Sequence, residues 1–194
     1  MTSADEMGVR LHGRGGQGVV TAAELLSVAA FLDGREAQAF PSFGSERMGA
    51  PVMSFCRIST RPIRTREPVV RPDAIVVVDA SLIHHVDVFG GLADDGCVLI
   101  NSSSPVAELG LVSLLEGCPE RRLITIPATD LARRHLGRPL PNVCLLGGLA
   151  AATGLVSLDS LERAVRERFR AAVADANVAA AHAAFDVVRE RAYA

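Results

Sequence analysis

The sequence predicts an α/β protein with a mainly parallel sheet, helices on both faces in a Rossmann-like three-layer α/β/α arrangement, and a helical C-terminal third. Short apolar runs typical of buried strands alternate with segments of helical periodicity. Residues 74–78 are continuously apolar and mostly β-branched, as in a central parallel strand buried on both faces. No internal repeat or linker interrupts this pattern, so residues 1–194 are expected to form a single domain.

The first half of the chain predicts a strand, a glycine-rich turn and a buried helix. A short strand at residues 9–12 leads into the run 13–18, which contains four glycines. Residues 19–32 are helix formers that are apolar on most faces, and Gly34 stands where this helix would end. Further strands are predicted at residues 36–40, 51–58, 74–78, 97–100 and 123–126.

Capping residues place the first helices of the second half. A short helix is expected at about residues 82–89, and Asp79 can cap it. Thr129 or Asp130 can cap a further helix, which Gly137 would end.

The C-terminal third is expected to be helical. Asn142 can cap an apolar helix that ends at Gly154, and Ser157 can cap the next one. A final helix carries apolar residues at helical spacing, namely Val178, Ala181, Phe185 and Val188.

The composition argues against several classes of protein. A net charge of −2 does not suit a nucleic-acid binder that depends on bulk electrostatics. The longest apolar stretch, residues 143–156, is too short and too glycine-rich to cross a bilayer, and the first residues lack a targeting pattern. We therefore expect a soluble, cytoplasmic protein with no membrane partner. All 20 basic residues are arginine, so no lysine is available as a Schiff base or general base.

The four cysteines are too far apart for the common metal motifs. Cys56, Cys97, Cys118 and Cys144 include no Cys-x-x-Cys pair, so neither a zinc ribbon nor an iron–sulfur cluster has its usual ligand spacing. Their apolar neighbours favour reduced core residues. We expect no metal site on this chain.

A glycine loop is the main candidate binding site. Gly13, Arg14, Gly15, Gly16, Gln17 and Gly18 fit the pattern G-x-G-x-x-G between a strand and a helix, where backbone N–H groups can bind an anion. Either Gly15 or Gly16 is expected to have a positive φ or to leave room for the anion. The alternative is a tight turn with no ligand. A dinucleotide is disfavoured because the second strand lacks an acidic residue at its end.

A second loop is expected to lie beside the first. Its residues Gly44, Ser45, Glu46, Arg47 and Gly49 follow the second strand, and in a doubly wound sheet they would emerge at the same edge. Arg14 and Arg47 could then bind a phosphate-rich ligand or an acidic surface of a partner. An ion pair with Glu46 or another element is the alternative for Arg47.

Two polar residues that end buried strands have two possible roles. Asp79 and Asn101 stand where side chains face ligands in open α/β sheets. Capping the next helix is an equally simple role for Asp79, and forming a turn is one for Asn101.

Four blocks of sequence resemble the γ subunits of 2-oxoacid:ferredoxin oxidoreductases of the pyruvate and ketoisovalerate type. They are residues 13–24, 38–52, 73–79 and 142–161, in the family's order, within a resemblance that spans roughly residues 8–165. The family's usual Arg-Arg-Gly in the second block is Arg47-Met48-Gly49 in this chain, so the second basic position is lost.

The resemblance implies a subunit of a complex that decarboxylates a 2-oxoacid on thiamine diphosphate and transfers the acyl group to coenzyme A (CoA). It implies that thiamine diphosphate with Mg²⁺ and the 4Fe-4S clusters lie on α, β and δ-type partner subunits, which pass electrons to ferredoxin or another acceptor. This chain would then carry no catalytic residue, be inactive alone, and contribute to CoA binding and active-site closure through the two loops.

Two other interpretations stay open. The small subunit of indolepyruvate oxidoreductase is similar, although this chain follows the pyruvate-type pattern in its second block. A non-catalytic subunit, which either binds a phosphate-bearing ligand or serves only as architecture, is the other alternative.

Arg47→Ala in the complex should raise the Michaelis constant for CoA about 10- to 150-fold, because a charged, bidentate contact to phosphate contributes ~1.5–3 kcal/mol. Decarboxylation measured without CoA should change far less. Steady-state kinetics at varied CoA concentration tests this, and an unchanged Michaelis constant would favour the ion pair.

Overall fold

A six-stranded sheet forms the centre of the computed structural model, which describes residues 6–42, 48–116 and 121–192. The strands are β1 (Glu6–Arg14), β2 (Glu36–Pro41), β3 (Pro51–Ser59), β4 (Ala74–Val77), β5 (Cys97–Asn101) and β6 (Arg122–Ile126). Their order across the sheet is β2-β3-β1-β4-β5-β6. Neighbours from β1 to β6 are parallel, whereas β3 is antiparallel to both β1 and β2. The mainly parallel sheet predicted from sequence is confirmed.

The reversal of β3 follows from the short connection before it. Only residues 42–50 separate β2 from β3, and a parallel neighbour would require a crossover of a dozen or more residues. β2 and β3 therefore pair as adjacent antiparallel strands. The connection between β2 and β3 therefore lies at the edge of the sheet where β1 ends, because Pro51 at the start of β3 pairs with Arg14.

The α-helices cover one face of the sheet. They are α1 (Val19–Leu32), α2 (Ala128–Leu136), α3 (Asn142–Thr153), α4 (Leu158–Arg168) and α5 (Ala171–Ala192). All five bury side chains in a single core that includes Val9 and Leu11 of β1. The helical C-terminal third is confirmed.

Short 3₁₀ helices cover the other face. They span Ala80–His84, Val106–Leu109 and Val112–Leu115, and the first replaces the helix predicted at residues 82–89. A smaller apolar cluster lies here, built on Ile75 and Val77 of β4. The two layers beside the sheet are therefore unequal in thickness.

By length and composition alone, α5 is the one helix of the described residues that could cross a membrane, over residues 171–190. It packs instead along α2, α3 and α4. Gly147 of α3 lies directly against the backbone of Ala181, where a side chain at position 147 would overlap the carbonyl group. This packing is that of a core helix.

Two predicted helix caps are wrong. α2 begins at Ala128 directly after a proline, and neither Thr129 nor Asp130 caps it. Instead the Oδ1 atom of Asn101 accepts a hydrogen bond from the Thr129 N–H at 3.0 Å. Asn142 is the first residue inside α3, so its side chain does not cap that helix and instead donates to the Gly18 carbonyl at 3.2 Å. In both places an asparagine joins two distant segments.

The predicted cap at Ser157 is confirmed, and a second residue supports it. Ser157 Oγ accepts a hydrogen bond from the Ser160 N–H at 3.1 Å. The Asp33 carboxylate, at the end of α1, accepts from the Ser157 N–H at 2.6 Å and from the hydroxyls of Ser157 and Ser160 at 2.7 and 2.6 Å. A carboxylate at a helix N-terminus also interacts favourably with the helix dipole. Asp33 thereby fixes the start of α4 to the end of α1.

Asp33→Ala should lower the free energy of unfolding by about 1–2 kcal/mol, because it removes acceptors from the first turn of α4. Urea denaturation of the purified chain measures this. Asp186→Ala is the matched control, since the exposed Asp186 carboxylate makes no hydrogen bond or ion pair within the described residues, and its effect should stay within about 0.5 kcal/mol. Equal losses in the two variants would contradict the role of Asp33.

Candidate anion-binding site

The glycine loop stands at the end of β1, on the edge of the sheet where ligands bind in open α/β folds. β1 is longer than the predicted strand, because β3 pairs with it as far as the partners Arg14 and Pro51. Gly13 and Arg14 therefore belong to the strand, and a tight turn over residues 15–17 leads to α1. Gly18 is the N-cap of α1, with a φ of 73°.

The N-terminus of α1 has no side-chain cap among the described residues. Its first internal hydrogen bond runs from the Ala22 N–H to the Gly18 carbonyl, so the preceding N–H groups have no acceptor within the helix. No described side chain caps it, and its first turn contains no acidic residue. These groups border a cavity of about 450 Å³ lined by Gly15, Gly16, Gly18, Val19, Val20 and Thr21, among others. Unpaired donors and the positive end of the helix dipole suit an anion at this position.

Gly16 has the backbone conformation expected of this loop. Its φ is 93°, which confirms the prediction of a positive φ at Gly15 or Gly16. A β-carbon at position 16 would be strained by this φ and would lie 3.2 Å from the Met48 sulfur. Both the positive φ and the nearby Met48 sulfur therefore favour glycine at position 16.

The Arg14 side chain is held by the protein itself. Its Nε donates to Asp79 Oδ2 at 3.2 Å, Nη1 donates to the Gly49 carbonyl at 3.1 Å, and Nη2 donates to Ser81 Oγ at 2.9 Å. All three guanidinium nitrogens thus have partners. Arg14 borders the cavity but serves first to fix the loop.

Gln17 ties the turn together in the same way. Its Oε1 accepts from the Arg14 N–H at 2.7 Å, and its Nε2 donates to Asp79 Oδ2 at 2.9 Å. Arg14 and Gln17, the two polar residues of the glycine motif, therefore both donate to the carboxylate of Asp79.

Asp79 follows β4 and holds this network. Its Oδ1 accepts from the N–H and the hydroxyl of Ser81, at 3.0 and 2.6 Å, so Asp79 also caps the 3₁₀ helix Ala80–His84. Partial burial acts to raise the pKa of Asp79, but hydrogen bonds from Ser81 and Gln17 and the charge of Arg14 outweigh it, and the pKa lies below its ordinary value. Of the two roles considered for Asp79, capping is confirmed, and its carboxylate is occupied by Arg14, Gln17 and Ser81.

The second loop lies against the first where the structure describes it. The Gly15 N–H donates to the Ala50 carbonyl at 2.9 Å, and the Gly49 N–H donates to the Gly15 carbonyl at 3.2 Å. Met48 borders the cavity and is 89% exposed. The predicted site residues Gly44, Ser45, Glu46 and Arg47 lie outside the described residues.

Two residues of this site were not predicted. Ser81 stands two residues after Asp79, and the Asp-x-Ser spacing of a local side-chain turn could have indicated it. Asn142 supports Gly18 from 124 residues away in sequence, and no local pattern signals such a contact. Asn101, the other strand-end candidate, donates to the Val78 carbonyl and to Thr129 Oγ1, at 2.9 and 2.8 Å, instead of facing the cavity.

The fold and the loop define an α/β protein with a glycine-rich strand–helix turn at which no described side chain caps the helix N-terminus. The family model for pyruvate ferredoxin/flavodoxin oxidoreductase matches residues 8–187. The chain belongs to this family.

Relatives place it with the γ, or PorC-type, subunits. It is 47% identical to pyruvate synthase subunit PorC of Methanothermobacter marburgensis over 181 residues, which cover 93% of this chain and 97% of that protein. It is 45% identical to the common γ subunit of the pyruvate and ketoisovalerate oxidoreductases of Pyrococcus furiosus, over 92% of this chain and 95% of that one.

Solved structures of related proteins have the same fold. The pyruvate oxidoreductase subunit PorC from Thermotoga maritima superposes with a TM-score of 0.80 at 32% identity, covering 94% of this chain and 96% of that one. The 2-oxoglutarate:ferredoxin oxidoreductase of Magnetococcus marinus, solved with 2-oxoglutarate, CoA and succinyl-CoA, matches with a TM-score of 0.75 at 16% identity. There the match covers 97% of this chain but 32% of that one, and it shows the shared fold alone.

Asp79→Ala should lower the free energy of unfolding at neutral pH by about 1–3 kcal/mol, because Arg14 and Gln17 lose their shared acceptor. Ser81→Ala keeps the contacts of Arg14 and Gln17 with Asp79 but loses the bonds of the Ser81 hydroxyl to Arg14 and Asp79, so it should cost less than Asp79→Ala. Urea denaturation of the two variants beside the wild type measures both values.

The stability that Asp79 contributes should decrease as the pH is lowered. Because the folded-state pKa of Asp79 is lowered, its contribution is full above the unfolded-state pKa near 3.8 and is lost as the pH falls through the folded-state pKa. The difference between wild type and Asp79→Ala should therefore shrink below about pH 4. A constant difference from pH 7 to pH 3 would contradict the charged network.

Proposed function

We propose that this chain acts as the γ subunit of a thiamine-diphosphate-dependent 2-oxoacid oxidoreductase and that its glycine loop binds a phosphate group of CoA. The complex would convert a 2-oxoacid, CoA and an oxidised acceptor into acyl-CoA, CO₂ and the reduced acceptor. The observation that carries the proposal is the uncapped N-terminus of α1, which opens into a 450 Å³ cavity in a member of this family. The CoA named for the Magnetococcus marinus structure is consistent with this ligand.

The binding chemistry would come mainly from the backbone. The N–H groups at the start of α1 would donate to phosphate oxygens, and the helix dipole would favour the negative charge. Arg14 would keep the loop in shape while its charge adds to the local field. Arg47 is the second cation that we assign to the ligand, on the strength of the sequence.

Thiamine diphosphate with Mg²⁺ and the 4Fe-4S clusters would lie on α, β and δ-type partner subunits. The cysteines support this assignment, because Cys56, Cys97 and Cys144 are buried in three different elements. Burial raises the pKa of these thiols to about 12, 11 and 12, which disfavours the thiolate that iron requires. Ferredoxin or another acceptor would receive electrons from the partners. CoA would supply the thiol that accepts the acyl group.

The names of the relatives favour a pyruvate or ketoisovalerate type over the indolepyruvate type. One observation favours an architectural role as a second candidate. Arg14 and Gln17 hold the loop through Asp79 and Gly49, so hydrogen bonds within the chain are enough to shape the turn. A ligand-binding experiment separates the two functions.

Thermal melting of the purified complex should show a CoA-dependent rise in melting temperature. A ligand at 100 times its dissociation constant stabilises the protein by about 2.7 kcal/mol. Gly16→Ala should assemble but lose most of this rise, because its β-carbon would occupy the anion's side of the turn.

Gly110→Ala is the matched control, because Gly110 also has a positive φ, of 67°, and no atom would lie within 4 Å of its β-carbon. Its melting temperature should fall through the same kind of backbone strain while the CoA-dependent rise persists. If the wild-type complex shows no rise at saturating CoA, the loop serves as architecture.

A further inference from the structure

A second cavity, of about 480 Å³, lies on the opposite face of β1 from the α-helices. Val9 and Leu11 face the helical core, so Arg10 and His12, which alternate with them, face this cavity. Neither the glycine loop nor α1 borders it. Val52 of β3 borders both cavities, but its side chain packs on the helical core, so this cavity is distinct from the CoA site proposed above.

Arg10 is a buried cation with an unused donor. The residue is 7% exposed, and its Nη2 donates to the carbonyls of Val88 and Gly90 at 3.1 and 2.6 Å. Its Nε donates to His12 Nε2 at 3.0 Å. Within the described residues Nη1 has no hydrogen-bond partner, and no carboxylate lies close enough to form an ion pair with Arg10. A buried charge without a paired counter-charge is costly.

His12 supplies a second unused donor beside it. The residue is 5% exposed, and because the arginine Nε can only donate, the His12 Nε2 must accept and the ring proton lies on Nδ1. Burial lowers the pKa of His12 to about 4, with the charge of Arg10 as the second cause and Asp87 acting in the opposite direction. His12 is thus neutral at physiological pH. Its Nδ1–H has no acceptor among the residues that the structure describes.

The rest of the cavity wall is mainly apolar. It includes Pro51, Met53, Leu82 and Val86, and Met53 lies opposite His12 in the register of β1 and β3. A concave apolar pocket with a few converging polar groups is the usual form of a small-molecule site. Asp87, which is exposed and also borders the cavity, adds one negative charge that acts on both Arg10 and His12.

We propose that this cavity binds a small aliphatic monocarboxylate. Its carboxylate accepts hydrogen bonds from Arg10 Nη1 and His12 Nδ1, and its hydrocarbon chain lies against Met53, Leu82 and Val86. Asp87 would repel a second carboxylate, so the site selects for a single negative charge.

Three probes of equal chain length test the chemistry by calorimetric titration of the full chain. Pentanoate carries one carboxylate, pentanamide is its neutral analogue, and glutarate carries a second carboxylate. Pentanoate should bind saturably and at least tenfold more tightly than either of the others. In NMR titrations at neutral pH, pentanoate should shift the ring resonances of His12, because its carboxylate accepts the hydrogen bond from Nδ1.

Two kinds of variant locate the site. Arg10→Gln should abolish pentanoate binding, and Val86→Phe should weaken it at least tenfold by filling the cavity while leaving the buried pair in place. Val112→Phe, at another exposed valine, is the matched control and should bind as the wild type does. Gly16→Ala should also bind pentanoate normally, because the glycine loop lies elsewhere.

Several results would overturn the proposal. Equal binding of pentanoate and pentanamide would show that the cavity recognises apolar shape without charge. Undetectable pentanoate binding by the wild type, or unchanged affinity in Val86→Phe, would exclude this cavity as a carboxylate site.

Discussion

The pairing of β1 on both sides is the constraint from which the rest of the architecture follows. β3 pairs with it in antiparallel register and β4 in parallel register, so the strand is held along its whole described length. Val9 and Leu11 then point into the helical core, and Arg10 and His12 point to the other face. The end of the same strand sets the position of the glycine loop. A single strand thus carries an apolar face toward the helices, a buried cation on its other face and the glycine-rich turn at its end.

The glycine loop combines a rigid frame with open donors. Asp79 accepts hydrogen bonds from the side chains of Arg14 and Gln17, and these bonds fix the conformation of the turn. The backbone N–H groups at the start of α1 stay free for an anion. Preorganised donors lose little entropy on binding, which suits recognition of a phosphate group. The backbone conformations that disfavour a side chain fall on glycines, since Gly16, Gly18 and Gly49 all have positive φ angles.

Local patterns in the sequence were sufficient for most elements of the fold. The apolar run at residues 74–78, the stop at Gly154 and the cap at Ser157 each act within a few residues, and the structure confirms them. The caps assigned to Asn142 and to Thr129 or Asp130 were wrong. At both helix starts the hydrogen bonds join segments that are distant in sequence, namely Asn101 with Thr129 and Asn142 with Gly18. A rule based on neighbouring residues cannot identify such partners. For the loops, the positive φ of Gly16 is confirmed, and Gly49 and Ala50, the described end of the second loop, contact Gly15 as expected. The partners that hold Arg14 could not be read from the sequence, because they come from distant segments.

The sequence by itself determined the alternation of strands and helices, the glycine turn and the ordered motifs that assign the family. These features depend on backbone propensities and on residue spacing within single elements. The tertiary structure decided the orientation of β3, the partners of Arg14 and the unpaired donors of Arg10 and His12. Each of these depends on which strands and loops become neighbours. Burial and charge at such positions are properties of the packed sheet, because only packing determines which donors find an acceptor.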